Sequence, residues 1–287
     1  MKCYKKESPD KLEIGQVYYT KRFVLTVDRN LCKGCVICKL ICPREAISVK
    51  PVSKGPDGEA RPPIIDIDEN KCDYHGICAV ACPFSAIKIS IDGSNEIPTV
   101  SKGVFPIITR DIEIDSVKCE PSCKKCEEKC PLGIVSVSAS DEPAQTVVEV
   151  MSELCAGCQI CWDECPTDAL KVTKFYEGSI FIDQELCPEG CHCCLDVCPV
   201  RALYVDEAGR IAANEAYCIY CGACQNVCPK PEALGIERTS VLHSPIDSGA
   251  WNRGLERITS TKALNKELAA GRIVKARAAA LAQFNKG

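Results

Sequence analysis

Cysteine residues recur along this chain in six runs of nearly constant spacing, and the spacing indicates which chemistry they can support. The first run is Cys32-x2-Cys35-x2-Cys38-x3-Cys42-Pro43. Thiolates spaced in this way wrap a cubane [4Fe–4S] cluster, and the fourth one reaches over to a second cluster. We call each run a ladder and number the ladders in chain order. The ligand positions of ladders 2 to 6 are Cys72, His75, Cys78 and Cys82; Cys119, Cys123, Cys126 and Cys130; Cys155, Cys158, Cys161 and Cys165; Cys187, Cys191, Cys194 and Cys198; and Cys218, Cys221, Cys224 and Cys228. The sequence therefore predicts six [4Fe–4S] clusters that pass electrons, with the listed residues as iron ligands.

The composition suggests how such a chain is held together. It has 25 Cys among 287 residues, and only 6% of its residues are aromatic. One large hydrophobic core is not expected, so metal cross-links must stabilise small modules. Disulfide bonds are the alternative, but they belong to secreted chains. We find no apolar signal segment at the N-terminus and no apolar run long enough to span a membrane. We therefore expect a cytoplasmic protein whose thiols stay reduced.

The formal charge of −4 is unevenly distributed. Residues 251–287 contain eight Lys or Arg and two Asp or Glu, so the rest of the chain is acidic even before cluster charge is added. An acidic body argues against nucleic acid as the main partner. It suits docking onto positively charged patches of other redox proteins.

A short motif after the ladders also repeats. The sequences are Pro43-Arg-Glu-Ala-Ile, Pro83-Phe-Ser-Ala-Ile, Pro166-Thr-Asp-Ala-Leu and Pro199-Val-Arg-Ala-Leu. Proline favours the first helical position, so about one helical turn is predicted here, with Ala and Ile or Leu packed against the cluster. Alternating β-branched residues predict strands at 47–49, 64–67, 87–89, 170–172, 180–182 and 203–205. The predicted fold class is α+β.

The strand–ladder–strand unit, used twice, resembles the bacterial two-cluster ferredoxin over roughly residues 22–236. The resemblance implies that three Cys of one ladder share a cluster with the fourth Cys of its partner. Cys32, Cys35, Cys38 and Cys82 would hold one cluster, and Cys72, His75, Cys78 and Cys42 the next. It also implies three tandem ferredoxin-like domains, at 1–105, 106–178 and 179–238, followed by a C-terminal helical tail at 239–287.

The pairing order of the ladders is a separate prediction. Ladders 3 and 5 both carry an extra residue after their first Cys, and the longest gap between ladders runs from Cys82 to Cys119. Both features favour the pairs 1–2, 3–4 and 5–6. The alternative is a nested arrangement, with one ferredoxin unit inserted in another, because residues 171–183 read as a hairpin between ladders 4 and 5.

His75 stands in the place of the second Cys of its ladder. A neutral imidazole can bind iron and would raise the potential of that cluster, as His-for-Cys replacement does in Rieske centres. The alternative is that His75 does not bind and that the site holds a [3Fe–4S] cluster. Cys3 and Cys193 lie outside the ladders and are expected to be unligated, and His192 and His243 are expected to be ordinary polar residues.

The tail contains no cysteine. Pro245 and Gly249 are expected to break it from the body, and apolar residues at helical spacing predict an amphipathic helix over 261–284. Two interpretations stay open, packing on its own body and docking on a partner subunit, and the second is favoured because small cluster modules offer little groove for a long helix.

The chain as a whole resembles the polyferredoxins, and among them the polyferredoxin subunits of formylmethanofuran dehydrogenases of methanogenic archaea. The motifs are Cys72-Asp-Tyr-His-Gly-Ile-Cys, Cys187-Pro-Glu-Gly-Cys and Ser248-Gly-Ala-Trp-Asn. This implies that the chain carries low-potential electrons to a molybdenum or tungsten subunit that reduces CO2, with no catalytic residue of its own. Other ferredoxins are expected as electron donors. The alternatives are a wire subunit of a hydrogenase or heterodisulfide reductase complex, and a free electron-storage ferredoxin.

Overall fold

The computed structural model describes residues 2–50, 59–139 and 146–259, and its mixed helix and strand content confirms the predicted α+β class. The strands in these ranges are β1 (Lys2–Glu7), β2 (Lys11–Val17), β3 (Arg22–Asp28), β4 (Ile47–Lys50), β5 (Ile64–Ile67), β6 (Ile87–Ile91), β7 (Ile112–Ile114), β8 (Val135–Ala139), β9 (Thr146–Val150), β10 (Leu170–Val172), β11 (Tyr176–Ile182), β12 (Leu203–Val205), β13 (Ile211–Ala213) and β14 (Leu234–Val241). The helices are α1 (Ile37–Ile41), α2 (Ile77–Val80), α3 (Pro98–Ser101), α4 (Lys125–Lys129), α5 (Ile160–Asp163), α6 (Cys193–Asp196), α7 (Ala223–Val227) and α8 (Gly249–Thr259).

The predicted strands are confirmed, whereas the helical turn predicted after each ladder is wrong. All six predicted strand segments lie within β4, β5, β6, β10, β11 and β12. The short helices lie inside the ladders instead, as α1 does between the second and fourth Cys of ladder 1. After Pro43 the chain makes a tight turn in which Glu45 is left-handed (φ 49°), and β4 begins at Ile47. This turn ends too soon for a helix to form.

Two antiparallel strand pairs enclose the first two ladders. Ladder 1 lies between β3 and β4, and ladder 2 lies between β5 and β6. The outer strands β3 and β6 pair with Val27 opposite Ile87, and the inner strands β4 and β5 pair with Ile47 opposite Ile67. This arrangement brings the two ladders side by side.

The same pairing occurs twice more along the chain. Strands β7 and β10 pair around ladders 3 and 4 with β8 and β9 inside them, and β11 and β14 pair around ladders 5 and 6 with β12 and β13 inside them. We call these three groups the first, second and third units. Because β10 and β11 pair with different strands, the pairing favours tandem over nested units. The domain bounds stay predictions, and β11 and β14 extend beyond 179–238 at both ends.

An N-terminal hairpin adds two strands to the first unit. Strands β1 and β2 extend its outer pair into one sheet with the order β1-β2-β3-β6. Leu12 and Ile14 of β2 are fully buried against Leu25, Val27 and Ile89. The hairpin therefore covers an edge strand that would otherwise present unpaired backbone groups.

One hydrophobic core lies between the three units, and α8 helps to close it. It contains Phe175 and Tyr176, at the start of the third unit, and Trp251 of α8, and all three are almost fully buried. The Tyr176 hydroxyl donates to the carbonyl oxygen of Ala81, in the first unit, at 2.7 Å. Gly254 lets α8 approach closely, since a Cβ there would lie 3.0 Å from Cγ1 of Ile41. The units are therefore packed together rather than strung out.

The start of the tail differs from its prediction. Residues 239–248 do not form a break, because β14 continues to Val241 and His243 accepts a hydrogen bond from Nε1 of Trp251 at 3.0 Å. Helix α8 packs on α1 and β14 of the same chain, so this part of the tail lies on its own body. The helix predicted over 261–284 lies outside the described residues. None of the helices that the structure describes is long and apolar enough to cross a membrane.

Replacing Trp251 should destabilise the whole protein. Trp251→Ala is expected to lower the free energy of unfolding by about 3–5 kcal/mol, because it leaves a cavity in the core that the units share. Urea denaturation followed by circular dichroism would measure this change. Tyr19→Ala is the control, because Tyr19 is fully exposed, and it should alter the stability by less than about 0.5 kcal/mol. Equal effects of the two substitutions would contradict the role assigned to Trp251.

Candidate functional site

The ladder thiols form groups that cross between ladders. In ladder 1, burial raises the pKa of all three leading thiols, and the nearby thiolate of Cys82 from ladder 2 raises each further. In ladder 2, burial raises the pKa of Cys72 to about 11 and also raises that of Cys78, and Cys42 from ladder 1 is a neighbouring thiolate of both. The fourth Cys of each ladder therefore lies among the leading Cys of the other, as the resemblance implies.

The other ladders cross in the same way. Cys165 is near the leading thiols of ladder 3, Cys130 near those of ladder 4, Cys228 near those of ladder 5 and Cys198 near those of ladder 6. We number the resulting sites by the ladder that supplies their leading positions. Site 1 is Cys32, Cys35, Cys38 and Cys82; site 2 is Cys72, His75, Cys78 and Cys42; site 3 is Cys119, Cys123, Cys126 and Cys165; site 4 is Cys155, Cys158, Cys161 and Cys130; site 5 is Cys187, Cys191, Cys194 and Cys228; and site 6 is Cys218, Cys221, Cys224 and Cys198.

Cavities at three of the sites fit the cluster that the spacing predicts. A cavity lined by all four thiols is present at each of sites 3, 4 and 6. Ala202 and Leu203 line the cavity at site 6, as predicted for this repeated pair. Among the described residues, no three His, Cys, Asp or Glu side chains converge on a single-ion position. Thiolates around a cubane also stand apart, because each binds a different iron atom.

The loops of ladders 1, 2, 4 and 6 have a common backbone shape. In each loop the second and fourth residues after the first Cys are left-handed, even where the residue is not glycine, as at Val36 (φ 63°) and Gln159 (φ 66°). Such turns form concave nests of N–H groups that bind anions. In ladder 6 the Tyr220 N–H donates to Sγ of Cys218 at 3.4 Å. Hydrogen bonds of this kind stabilise negative charge on a cluster and raise its potential.

Ladders 3 and 5, which carry the extra residue, have a different loop. Each loop has a single left-handed residue, Ser122 or Gly190. The residue before its helix is not left-handed, since φ is −120° at Lys124 and −118° at His192. All four thiols of site 3 and three of the four at site 5 are only half-buried. At sites 4 and 6, by contrast, three of the four are buried. Sites 3 and 5 are therefore the most accessible to another protein.

His75 lies where the second Cys lies in other ladders. Its Nδ1 accepts a hydrogen bond from the Ile77 N–H at 3.1 Å, and Sγ of Cys35 takes the corresponding bond from the Ile37 N–H. Its Nε2 lies 3.4 Å from Oδ1 of Asp73. Burial lowers the pKa of His75, although the Asp73 carboxylate opposes this. Sulfur can accept a hydrogen bond and bind iron at once, but Nδ1 has a single lone pair. In this arrangement both ring nitrogens already have partners.

Sites 1, 4 and 6 meet in the core between the units. This core contains Cys35 and Cys82 of site 1, Cys158 of site 4, and Cys218 and Cys221 of site 6. The thiolate of Cys221 is near enough to contribute to the raised pKa of Cys35, after the larger effects of burial and Cys82. Thiols of sites 2, 3 and 5 lie in three other hydrophobic clusters of the described residues, and each of these clusters also contains a thiol of site 1, 4 or 6. We call sites 1, 4 and 6 the inner sites and sites 2, 3 and 5 the outer sites.

Four basic residues beside the sites were not predicted from the sequence. Arg110, Lys174 and Arg238 lie at the contacts between the inner sites, and Nη1 of Arg257 donates to the carbonyl oxygen of Cys42 at 2.7 Å. Their partners are backbone carbonyls from distant parts of the chain, which no local pattern marks. Arg238 alone carries a signal, because it occupies an inward-facing position of a strand.

The residues outside the ladders are placed as follows. Cys3 lies on β1, where its Sγ accepts a hydrogen bond from Nε2 of Gln16 at 3.7 Å. Cys193 begins α6, next to Cys194 of site 5. His192 immediately precedes this helix.

Comparison with known proteins agrees with these pairs of ladders. The 4Fe-4S dicluster domain family matches residues 31–86, which contain ladders 1 and 2, and residues 108–169, which contain ladders 3 and 4. The chain is 34% identical over 62 residues to a ferredoxin of Methanothermococcus thermolithotrophicus, covering 95% of that protein and 21% of this chain. It is 28% identical over 128 residues to polyferredoxin protein MvhB of Methanothermobacter marburgensis, covering 43% of this chain and 22% of that protein.

A solved structure is similar over nearly the whole chain. It is a chain of the formate dehydrogenase–heterodisulfide reductase–formylmethanofuran dehydrogenase complex from Methanospirillum hungatei. The TM-score is 0.79 and the sequence identity 30%, and the match covers 90% of this chain and 91% of that one.

The crossed grouping predicts which substitutions remove iron. Cys82→Ala should remove about one iron per chain and give site 1 the EPR signal of a [3Fe–4S] cluster, because it leaves that site with three thiolates. Cys3→Ala is the matched control, and its iron content should equal that of the unmodified protein. Iron and acid-labile sulfide per chain, measured after anaerobic purification, would test this. The grouping would be wrong if both substitutions removed the same amount.

Proposed function

We propose that this chain is a cytoplasmic electron-transfer subunit that relays low-potential electrons to a formylmethanofuran dehydrogenase. The chain belongs to the family of 4Fe-4S dicluster ferredoxins. The observation that carries the proposal is the crossed grouping of thiols into sites 1 to 6. The likeness to a chain of a complex that contains this dehydrogenase supports the choice of recipient. Reduction of CO2 at molybdenum or tungsten would take place on the partner, so this chain would form and break no substrate bond.

The residues of the chain would hold clusters and set their potentials. A bound [4Fe–4S] cluster supplies the capacity to take up and release one electron. The crossed thiolates would hold the two clusters of a unit. Amide groups such as the Tyr220 N–H would stabilise the added negative charge, and apolar residues such as Leu203 would keep water away.

The accessible sites suggest where electrons enter and leave. Sites 3 and 5 have the most exposed thiols, so a partner could approach the clusters there at short range. The body of the chain is acidic, which favours partners with positively charged patches. Other ferredoxins are suitable donors at one of these sites, and a catalytic complex is a suitable recipient at another.

A second recipient is supported by a specific observation. The complex that contains the similar chain also includes heterodisulfide reductase and formate dehydrogenase. A chain of this kind could therefore deliver electrons to heterodisulfide reductase instead. The likeness to polyferredoxin MvhB does not distinguish the two, because the chain covers only 22% of that protein.

Anaerobic purification of the tagged chain from its native host would test the proposed recipient. We expect the molybdenum or tungsten subunit of formylmethanofuran dehydrogenase to copurify with it. A chain that ends at Thr259 should keep its iron but lose this partner, because residues 260–287 contain six Lys or Arg and one Glu and are proposed to dock on the complex. Recovery of heterodisulfide reductase alone would favour the second recipient. Unchanged copurification after truncation would exclude the docking role of these residues.

Site 2 is proposed to differ from the other five sites. Three thiolates, from Cys72, Cys78 and Cys42, would hold its cluster, and His75 would keep its contacts with Ile77 and Asp73. A site that lacks a fourth ligand favours a [3Fe–4S] cluster. The proposed inventory is therefore five [4Fe–4S] clusters and one [3Fe–4S] cluster.

Substitution of His75 tests whether this residue binds iron at site 2. The oxidised protein should show the EPR signal of a three-iron cluster, and His75→Ala should leave that signal unchanged. His75→Cys should abolish the signal and add one iron per chain, because it restores the fourth thiolate. If the unmodified protein has no such signal and His75→Ala creates it, His75 is an iron ligand.

A further inference from the structure

A basic side chain lies at each contact between inner sites, and Arg110 lies between sites 1 and 4. Its Nη2 donates to the carbonyl oxygen of Cys82, a site 1 residue, at 2.8 Å. Its Nη1 donates to the carbonyl oxygen of Cys155, a site 4 residue, at 2.6 Å. The guanidinium also lies 4.9 Å from the ring centre of Phe175 in the shared core. One positive charge is therefore held between two sites that belong to different units.

Lys174 occupies the corresponding place between sites 4 and 6. Its backbone lies against ladder 4, since a Cβ added to Gly157 would be 3.4 Å from Cα of Lys174. Its Nζ reaches the start of ladder 6, where it donates to the carbonyl oxygens of Glu215 at 2.9 Å and Ala216 at 2.8 Å. Nζ also lies 5.3 Å from the ring centre of Tyr220, in the loop of ladder 6.

Arg238 lies where sites 6 and 1 approach each other. Its Nη2 donates to the carbonyl oxygen of Cys221, a site 6 residue, at 2.5 Å. A Cβ added to Gly222 would lie 2.9 Å from this Nη2 and 3.9 Å from the carbonyl oxygen of Cys35, a site 1 residue. The side chain is buried, with 7% of its surface exposed.

Arg238 is buried, and Arg110 and Lys174 are half-buried at the contacts between the units. Within residues 2–50, 59–139 and 146–259, none of them forms a salt bridge with Asp or Glu. Nε of Arg238 is buried and has no hydrogen-bond partner. Burial of an uncompensated charge is strongly unfavourable. A cluster held by four thiolates is an anion, so clusters at sites 1, 4 and 6 would supply the missing negative charge.

From these contacts we propose that the inner sites form a three-way electron junction and that Arg110, Lys174 and Arg238, each shared by two sites, raise the potentials of its clusters together. The inference rests on the proposed function, because it requires clusters at the sites. A nearby positive charge favours the more negative, reduced state of a cluster, and the low dielectric of the interior strengthens this effect. Each inner cluster would adjoin two of the three cations, so the reduced state would be stabilised at all three sites.

The junction gives the chain three terminals instead of two. In each unit the outer site shares a hydrophobic cluster with one inner site, so sites 2, 3 and 5 would connect with one another through sites 1, 4 and 6. An electron that enters at one outer site can leave at either of the other two. Such a subunit can collect electrons from two donors, or divide them between two recipients.

Removal of one cation at a time tests the junction. Arg110→Gln, Lys174→Gln and Arg238→Gln are made in the full chain, and midpoint potentials are measured by anaerobic redox titration monitored by EPR. We expect each substitution to lower two potentials. These are the potentials of sites 1 and 4 for Arg110→Gln, of sites 4 and 6 for Lys174→Gln, and of sites 6 and 1 for Arg238→Gln. The double substitution at Arg110 and Lys174 should lower three potentials, and the shared one should fall by the sum of the two single shifts.

Matched controls separate charge from packing. Arg110→Lys, Lys174→Arg and Arg238→Lys keep the charge and should leave the potentials nearly unchanged, as should Arg210→Gln at the exposed surface. Lys174 is only half-buried. Lys174→Gln therefore still tests the junction if Arg110→Gln or Arg238→Gln does not take up its full iron. The junction is excluded if the Gln variants hold their full iron but change no potential or only one potential. It is also excluded if they change the same potentials as Arg210→Gln. A protein without iron would instead contradict the proposed function itself.

Discussion

Each candidate site requires a thiol from the ladder of its partner. Cys82 completes site 1 and Cys42 completes site 2, and the same exchange occurs in the other two units. The exchange is geometrically possible only because β3 pairs with β6 and β4 with β5, which places the ladders side by side. A ladder on its own cannot complete a site. Metal binding and folding are therefore coupled within each pair of ladders.

The crossed groups create an electrostatic problem that the surrounding structure must solve. Burial and neighbouring thiolates raise the pKa of Cys161 and Cys221 to about 12, so these thiols resist ionisation until iron is present. Different parts of the chain then compensate the negative charge. At the accessible sites 3 and 5 water can do so, whereas the inner sites depend on N–H groups and on buried cations. The depth of a site and the chemistry around it are thus linked.

The sequence predicted features that depend on neighbouring residues and missed those that depend on distant ones. Ladder spacing and alternation of β-branched residues are local, and they identified the candidate ligands and the strands. The helices were misplaced, because a left-handed residue such as Glu45 ends the turn after proline and no motif marks it. Trp251 and Arg238 owe their burial to contacts with other units, so their roles appear only once the units are packed together. The break predicted at Pro245 and Gly249 was wrong for the same reason, because α8 packs on distant parts of the chain.

The hydrogen bond between Tyr176 and the carbonyl of Ala81 has a consequence for synthesis of the chain. A ribosome releases the first unit long before Tyr176, and Trp251 emerges later still. Until then Ile41 and Ile77 lack their contact with Gly254 of α8. The first unit therefore completes its packing only after most of the chain has been made, although the repeated sequence suggests modules that fold one after another.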